Sequence, residues 1–145
     1  MRTKKVNRYW CDYCNKAGLQ AGAMRSHENH CTLNPNRECR VCALLADGQD
    51  LDFQKKSLPE LMSLLPEYVE CNSENTWEEG KLAQASIELA VGELRNATGD
   101  CPACMMAALR QKGIPVPSIE GFNFTREMKQ IFSDINDAKA DERYY

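Results

Sequence analysis

Cys11 and Cys14 stand three apart, and His27, His30 and Cys31 follow within the next seventeen residues. All five side chains are ligands for a borderline-soft metal ion, and a tetrahedral ion takes four of them. Two further pairs, Cys39/Cys42 and Cys101/Cys104, repeat the Cys-x-x-Cys spacing. The chemistry on offer is therefore metal binding, with thiol–disulfide exchange and metal-assisted hydrolysis as the other uses of such residues.

A finger-type site needs two ligands on a tight knuckle and two on one helical face. Cys11 and Cys14 supply the knuckle. His27 and Cys31 are separated by four, so on a helix both point the same way. His30 competes with Cys31, because His27 and His30 at i, i+3 also share a face. Cys31 is favoured by its spacing and by the strength of thiolate as a zinc ligand. Cys39, Cys42, Cys101 and Cys104 form a second set of four, each pair at the start of a helix, where the dipole favours the thiolate. Such a site would tie the chain across the residues between the pairs. The redox alternative for "CPAC" lacks the βαβ pattern that normally precedes it. Two zinc ions are the expected cofactors.

The elements that position these residues read as mostly helical. "VNRYWCDYCNK" suits a short hairpin or knuckle, "AGAMRSHENHC" a short helix, and "TLNPNRE" a turn-rich link. "CRVCALLADG" and "CPACMMAALRQKG" are alike: each runs from its cysteines into an Ala/Leu/Met-rich helix that stops at a glycine, Gly48 or Gly113. Asp100, Pro102, Arg110 and Lys112 mark the ends of the second. "SLPELMSLLPEYVE" predicts a short helix broken near Pro66. A longer one runs from Trp77 to Ala97, opened by Thr76 and Glu79 in capping-box spacing. It carries an apolar stripe of Ala83, Ile87, Ala90, Leu94 and Ala97. "IPVPSIEGFNF" reads as an extended connection. A last helix from Thr125 to about Ala138 presents Met128, Ile131, Phe132, Ile135 and Ala138 on one face. Met105, Met106 and Met128 are expected to fill core, with Trp77 at its edge. Cys71 reads as a lone thiol, and Asp47, Asp50, Asp52, Glu78 and Glu79 as solvated acids.

Charge divides the 145 residues unevenly. Residues 1–38 carry seven Lys/Arg against three acids, and residues 39–145 carry eleven against eighteen. One dication on three thiolates adds −1 and another on four adds −2, which takes the formal −3 to −6. Only the N-terminal end can then grip a nucleic acid. This organisation predicts a basic arm and zinc finger over residues 1–38 and an acidic helical domain with a four-cysteine zinc site over residues 39–145. No apolar run is long enough to span a membrane. "MRTKKVNRYWC" has no apolar segment of the secretory kind, so the cytoplasm, with its reduced thiols, is the expected compartment. Neither a Walker loop nor Gly-x-Gly-x-x-Gly occurs, and no small-molecule substrate is evident.

The spacing C-x2-C-x12-H-x3-C resembles the C2H2 zinc-finger family, in the variant whose last ligand is cysteine, over about 25 residues. That resemblance implies a small core at Gly18 (with Leu19 beside it) and Met24, where the family carries Phe and Leu. It also puts base-reading positions at Gln20, Ala23 and Ser26, of which only Gln20 reads bases well. A single finger buries too little DNA for specificity. Contact with a nucleic acid or a partner protein is expected through Arg2, Lys4, Lys5, Arg8, Lys16, Gln20 and Arg25. "HENHCTLNPNRECRVC" is similar to small zinc-finger proteins of tailed bacteriophages. That similarity brings no activity with it; a phage origin would make the host cytoplasm the setting and modulation of host or phage machinery the role.

A second pairing, Cys11/Cys14 with Cys39/Cys42, resembles HNH endonucleases of the endonuclease VII kind. There two Cys-x-x-Cys pairs flank a histidine-rich segment that binds a catalytic Mg²⁺. It implies His27 or His30 as general base or metal ligand against a phosphodiester. The acid-His-x-His signature is absent, and Ala43 stands where an Asn belongs. "HENH" also places its histidines one residue too close for the thermolysin motif. The expected function is accordingly a non-enzymatic zinc-binding protein that acts by contact.

Overall fold

The computed structural model describes residues 1–45, 56–68 and 77–142. Cys71, Thr76, Gly48 and the acids Asp47, Asp50 and Asp52 lie outside the described residues, as do the side chains of Trp77, Glu78 and Glu79.

The described residues are mostly helical. Strands β1 (Tyr9–Trp10) and β2 (Ala17–Gly18) pair antiparallel, Tyr9 opposite Gly18 and Trp10 opposite Ala17. Helices α1 (Ala21–His30), α2 (Arg40–Leu45), α3 (Leu58–Ser63), α4 (Trp77–Thr98), α5 (Pro102–Gln111) and α6 (Phe124–Glu142) follow, with a 3-10 turn at Val116–Ser118. The hairpin closes through the Cys11 amide, which donates to the Lys16 carbonyl at 2.9 Å. It is shorter than the aromatic run suggested: the knuckle between Cys11 and Cys14 occupies its turn.

Helix α5 is the centre of the body. Seven of its ten residues, Pro102 to Met105 and Ala107 to Leu109, are buried. It packs against α3, α4, α6 and the 3-10 turn. The reason lies in its composition: alanine and methionine present small or adaptable surfaces on all sides, so several neighbours can approach together. Its end is a Schellman motif. Gly113, at φ +80°, lets the Ile114 amide donate to the Leu109 carbonyl at 3.0 Å, and Ile114 itself turns into the core. At the other end Asp100 precedes the helix as expected; it follows Gly99 in a left-handed turn, both at φ 61°, and the N-cap is Cys101.

Ile87, Ala90, Val91 and Leu94 of α4 are buried against α5, with Ala97 packed beside them, so the expected stripe is the buried face. Met105 is buried, and Met106 and Met128 pack on the same core. Helix α3 starts on a capping box in which the Ser57 amide donates to Glu60 Oε2 at 2.7 Å, and it ends ahead of Pro66. Arg95 of α4 pairs with Glu127 of α6, the closest charge contact between those helices. Along α6, Met128 and Ile131 meet the core, whereas Phe132 is 48% exposed.

Truncating Leu94 to alanine removes a side chain with no solvent exposure and should cost about 2–5 kcal/mol in a urea titration of the metal-loaded protein. Phe132→Ala should change the unfolding free energy by less than about 0.5 kcal/mol.

Candidate functional site

Two groups of four ligand atoms assemble among the described residues. Cys11, Cys14, His27 and Cys31 form the first, and Cys39, Cys42, Cys101 and Cys104 the second; within each, all atoms lie within 4.8 Å of one another. All seven described cysteines are free thiols. These are the two sets that the spacing favoured, and the arrangement that would join Cys11/Cys14 to Cys39/Cys42 is not the one formed.

In the first group the hairpin turn carries Cys11 and Cys14. The last turn of α1 carries His27, and its C-cap is Cys31. His27 turns Nε2 inward, 3.2 Å from the Cys14 sulfur. The Asp12 amide donates to Glu28 Oε1 at 3.0 Å and so fixes the knuckle against the helix. Backbone amides face the sulfurs: Tyr13 donates to Cys11 at 3.4 Å, Lys16 to Cys14 and Leu33 to Cys31. An amide aimed at sulfur stabilises thiolate over thiol, which is the form that binds metal. Burial raises the Cys14 thiol, but the Lys16 amide and the neighbouring Cys11 and Cys31 outweigh it and the net shift is downward. Burial raises Cys31. Burial and the charge of Lys16 lower His27, keeping the imidazole neutral and ready to coordinate.

The small core of this unit differs from the expected one. Met24 is buried, but Leu19 is 64% exposed and contributes nothing to it. Leu33, from the link after α1, packs there instead, beside Cys11, Cys14 and Cys31. A leucine two residues past the last ligand carries no spacing signal of its own, so the sequence could not single it out.

His30 faces away from the group of four. Its Nδ1 lies 2.9 Å from the Glu38 carbonyl, and the Glu38 amide donates back to the Asn29 carbonyl at 2.8 Å. The fifth candidate ligand is thus a fastener for the link between the two sites.

The second group lies within the main core. Cys101 and Cys104 are buried, while Cys39 and Cys42 pack against the same cluster. Sulfur–sulfur distances are 3.5 Å for Cys39 to Cys101 and 3.4 Å for Cys42 to Cys104. Cys101 caps α5 and Cys39 immediately precedes α2; the Cys42 amide donates back to the Cys39 sulfur at 3.4 Å. Without a cation the four thiols divide unequally. Hydrogen bonds from Cys101, Cys104 and Cys42 pull Cys39 far below an ordinary thiol, whereas bonding to Cys104, Cys39 and Cys42 drives Cys101 far above it. One sulfur takes the negative charge and its neighbours keep their protons. A dication at the centre lets all four ionise together, so the donor set fits a thiophilic metal ion.

The link joins the sites physically. Gln111 Nε2 donates to the carbonyls of Thr32 and Asn34, both at 3.0 Å, and Arg110 donates to Thr32 Oγ1 at 2.6 Å. Buried Asn34 donates to the Glu28 carbonyl at 2.8 Å. Arg40 of α2 donates to Ser26 Oγ at 2.6 Å. That last bond engages one of the three positions expected to face a base. The expected boundary after Glu38 falls within this bonded segment.

The basic residues Arg2, Lys4, Lys5, Arg8, Lys16 and Arg25, and Gln20, are all exposed. Among the described residues no helix is long and apolar enough to cross a membrane. No protein-family model matches the chain, and neither curated proteins nor solved structures provide a match.

Cys31→Ala should lower the bound metal from two equivalents to one, measured by elemental mass spectrometry, and His30→Ala should leave two. Loss of metal in His30→Ala with retention in Cys31→Ala would reverse the ligand assignment. Because thiolate and neutral imidazole are the binding forms, both equivalents should dissociate as pH falls and be retained as it rises.

Proposed function

We propose that the chain is a non-enzymatic zinc-binding protein that acts by contact, using its N-terminal finger and basic arm against a partner protein or a nucleic acid. One observation carries this reading: each site has four protein donors of its own. A catalytic zinc keeps a coordination position open for water or substrate, whereas a structural zinc is closed by protein ligands. A set of four cysteines, or of three with one histidine, suits zinc through the softness of thiolate and its tetrahedral preference. The zinc ions then hold the finger and the helical body in shape, and the body supplies no ligand gap for chemistry.

The resemblance to phage zinc-finger proteins adds a setting, the host cytoplasm, where such a contact would modulate host or phage machinery. The chain divides into a basic contact unit over residues 1–38 and an acidic body over residues 39–145. Exposure of Arg2, Lys4, Lys5, Arg8, Lys16, Gln20 and Arg25 supports the first as the contact surface.

Native mass spectrometry should detect two zinc ions per chain, and chelation should collapse the helical circular-dichroism signal. One or no zinc would sink the two-site reading. The nuclease alternative is tested with Mg²⁺ and plasmid DNA: wild type, His27→Ala and His30→Ala should all show the same background. Cutting by wild type that disappears in either variant would make the protein an enzyme.

A further inference from the structure

Nine large apolar side chains are exposed among the described residues, and six belong to the first nineteen: Met1, Val6, Tyr9, Trp10, Tyr13 and Leu19. The same nineteen residues carry five Lys/Arg and a single acid, Asp12. An exposed apolar patch on a small protein marks a binding surface more often than a packing accident. Trp10 is 59% exposed although it lies in a hydrogen-bonded strand. The Arg8 guanidinium sits over its ring, 5.3 Å from the centroid. The guanidinium over the indole makes a cationic aromatic surface, attached to the hairpin by the pairing of Trp10 with Ala17.

Aromatic rings interleaved with cations are what unpaired bases and their phosphates require: the ring stacks on the base and the cation neutralises the backbone. A duplex offers no free base face to stack on. Its major groove would have to be read by the start of α1, where exposed Gln20 is the one good base reader, Ala23 cannot hydrogen-bond to a base edge and Ser26 is engaged by Arg40. A rigid duplex across the finger would also approach the acidic body, which has eighteen acids against eleven bases from residue 39 onward. A flexible strand can follow the arm and avoid the body. An acidic protein would satisfy the cations but gives no reason for exposed Trp10 and Tyr13.

From these observations we infer that the N-terminal hairpin and its arm, through Trp10, Arg8 and the turn residue Tyr13 with Lys4 and Lys5, bind single-stranded nucleic acid without reading its sequence. The inference rests on the contact-protein reading above and selects its partner.

The zinc-loaded full chain is titrated against labelled oligothymidine and oligouridine of about 15 nucleotides, and against a duplex of the same length, by fluorescence anisotropy. Single strands should bind at least about tenfold tighter than duplex. Trp10→Ala should weaken single-strand binding by roughly tenfold or more, and Trp10→Phe should recover part of the loss. Lys4→Glu/Lys5→Glu, in the arm ahead of the fold, should weaken it further. The log–log salt slope should be no steeper than about −3.5, the limit for five cations on a single strand. Equal affinity for duplex would overturn the proposal. So would no binding at about 50 mM salt, or binding indifferent to both Trp10→Ala and the lysine pair. Zinc content is counted in every variant. Two zincs without strand binding refutes this inference alone, and fewer than two in wild type refutes the reading beneath it.

Discussion

Four thiols cannot share a space a few ångströms across and all be ionised unless a cation sits among them. That constraint governs the body of the protein. Cys39 and Cys42 reach Cys101 and Cys104 across a sequence separation of 62, within a core where water does not moderate their repulsion. A dication removes the conflict and closes a long loop at one point, which gives α2 and α5 a fixed relation. Around that point α5 can be buried on nearly all sides, and α3, α4 and α6 assemble on it. The cluster is thus both a ligand set and part of the core, with Cys101 and Cys104 buried in it and Cys39 and Cys42 partly buried at its edge.

The link between the two sites extends the same order outward. Residues 32–38 contain no helix or strand, yet the carbonyls of Thr32, Asn34 and Glu38 and the amides of Asn36 and Glu38 are bonded by Gln111, His30, Asn34 and Asn29. The last ligand of the first site and the first ligand of the second are therefore held at the two ends of a bonded bridge. Arg40, one residue into α2, adds a bond to α1 through Ser26. Distortion at either site has a short hydrogen-bonded route to the other.

Exposure in this protein is concentrated and not spread. Among the described residues, six of the nine exposed large apolar side chains lie in the first nineteen residues, beside five Lys/Arg and one acid, and Leu44, Leu89 and Phe132 are the other three. The finger's own core is small, with Met24 and Leu33 beside the ligands. A unit with so little to bury would gain much of its stability from a metal ion bound by those ligands.

The sequence by itself determined the ligand chemistry. Cysteine and histidine at knuckle and i, i+4 spacing can converge on one ion because local geometry alone places them. It also determined the helices, whose stripes, Gly113 stop and proline positions are local signals. Only the tertiary structure decided which Cys-x-x-Cys pair meets which, since any two pairs satisfy the same local rules and the choice depends on how α2 and α5 pack. It removed His30 from the ligand set by giving its ring the Glu38 carbonyl, a partner that no spacing predicts. It likewise brought Leu33 against Cys11, Met24 and Cys31, and set Asp100 in a left-handed turn. Each of these depends on where the chain returns after leaving an element, and that return is set by the whole core.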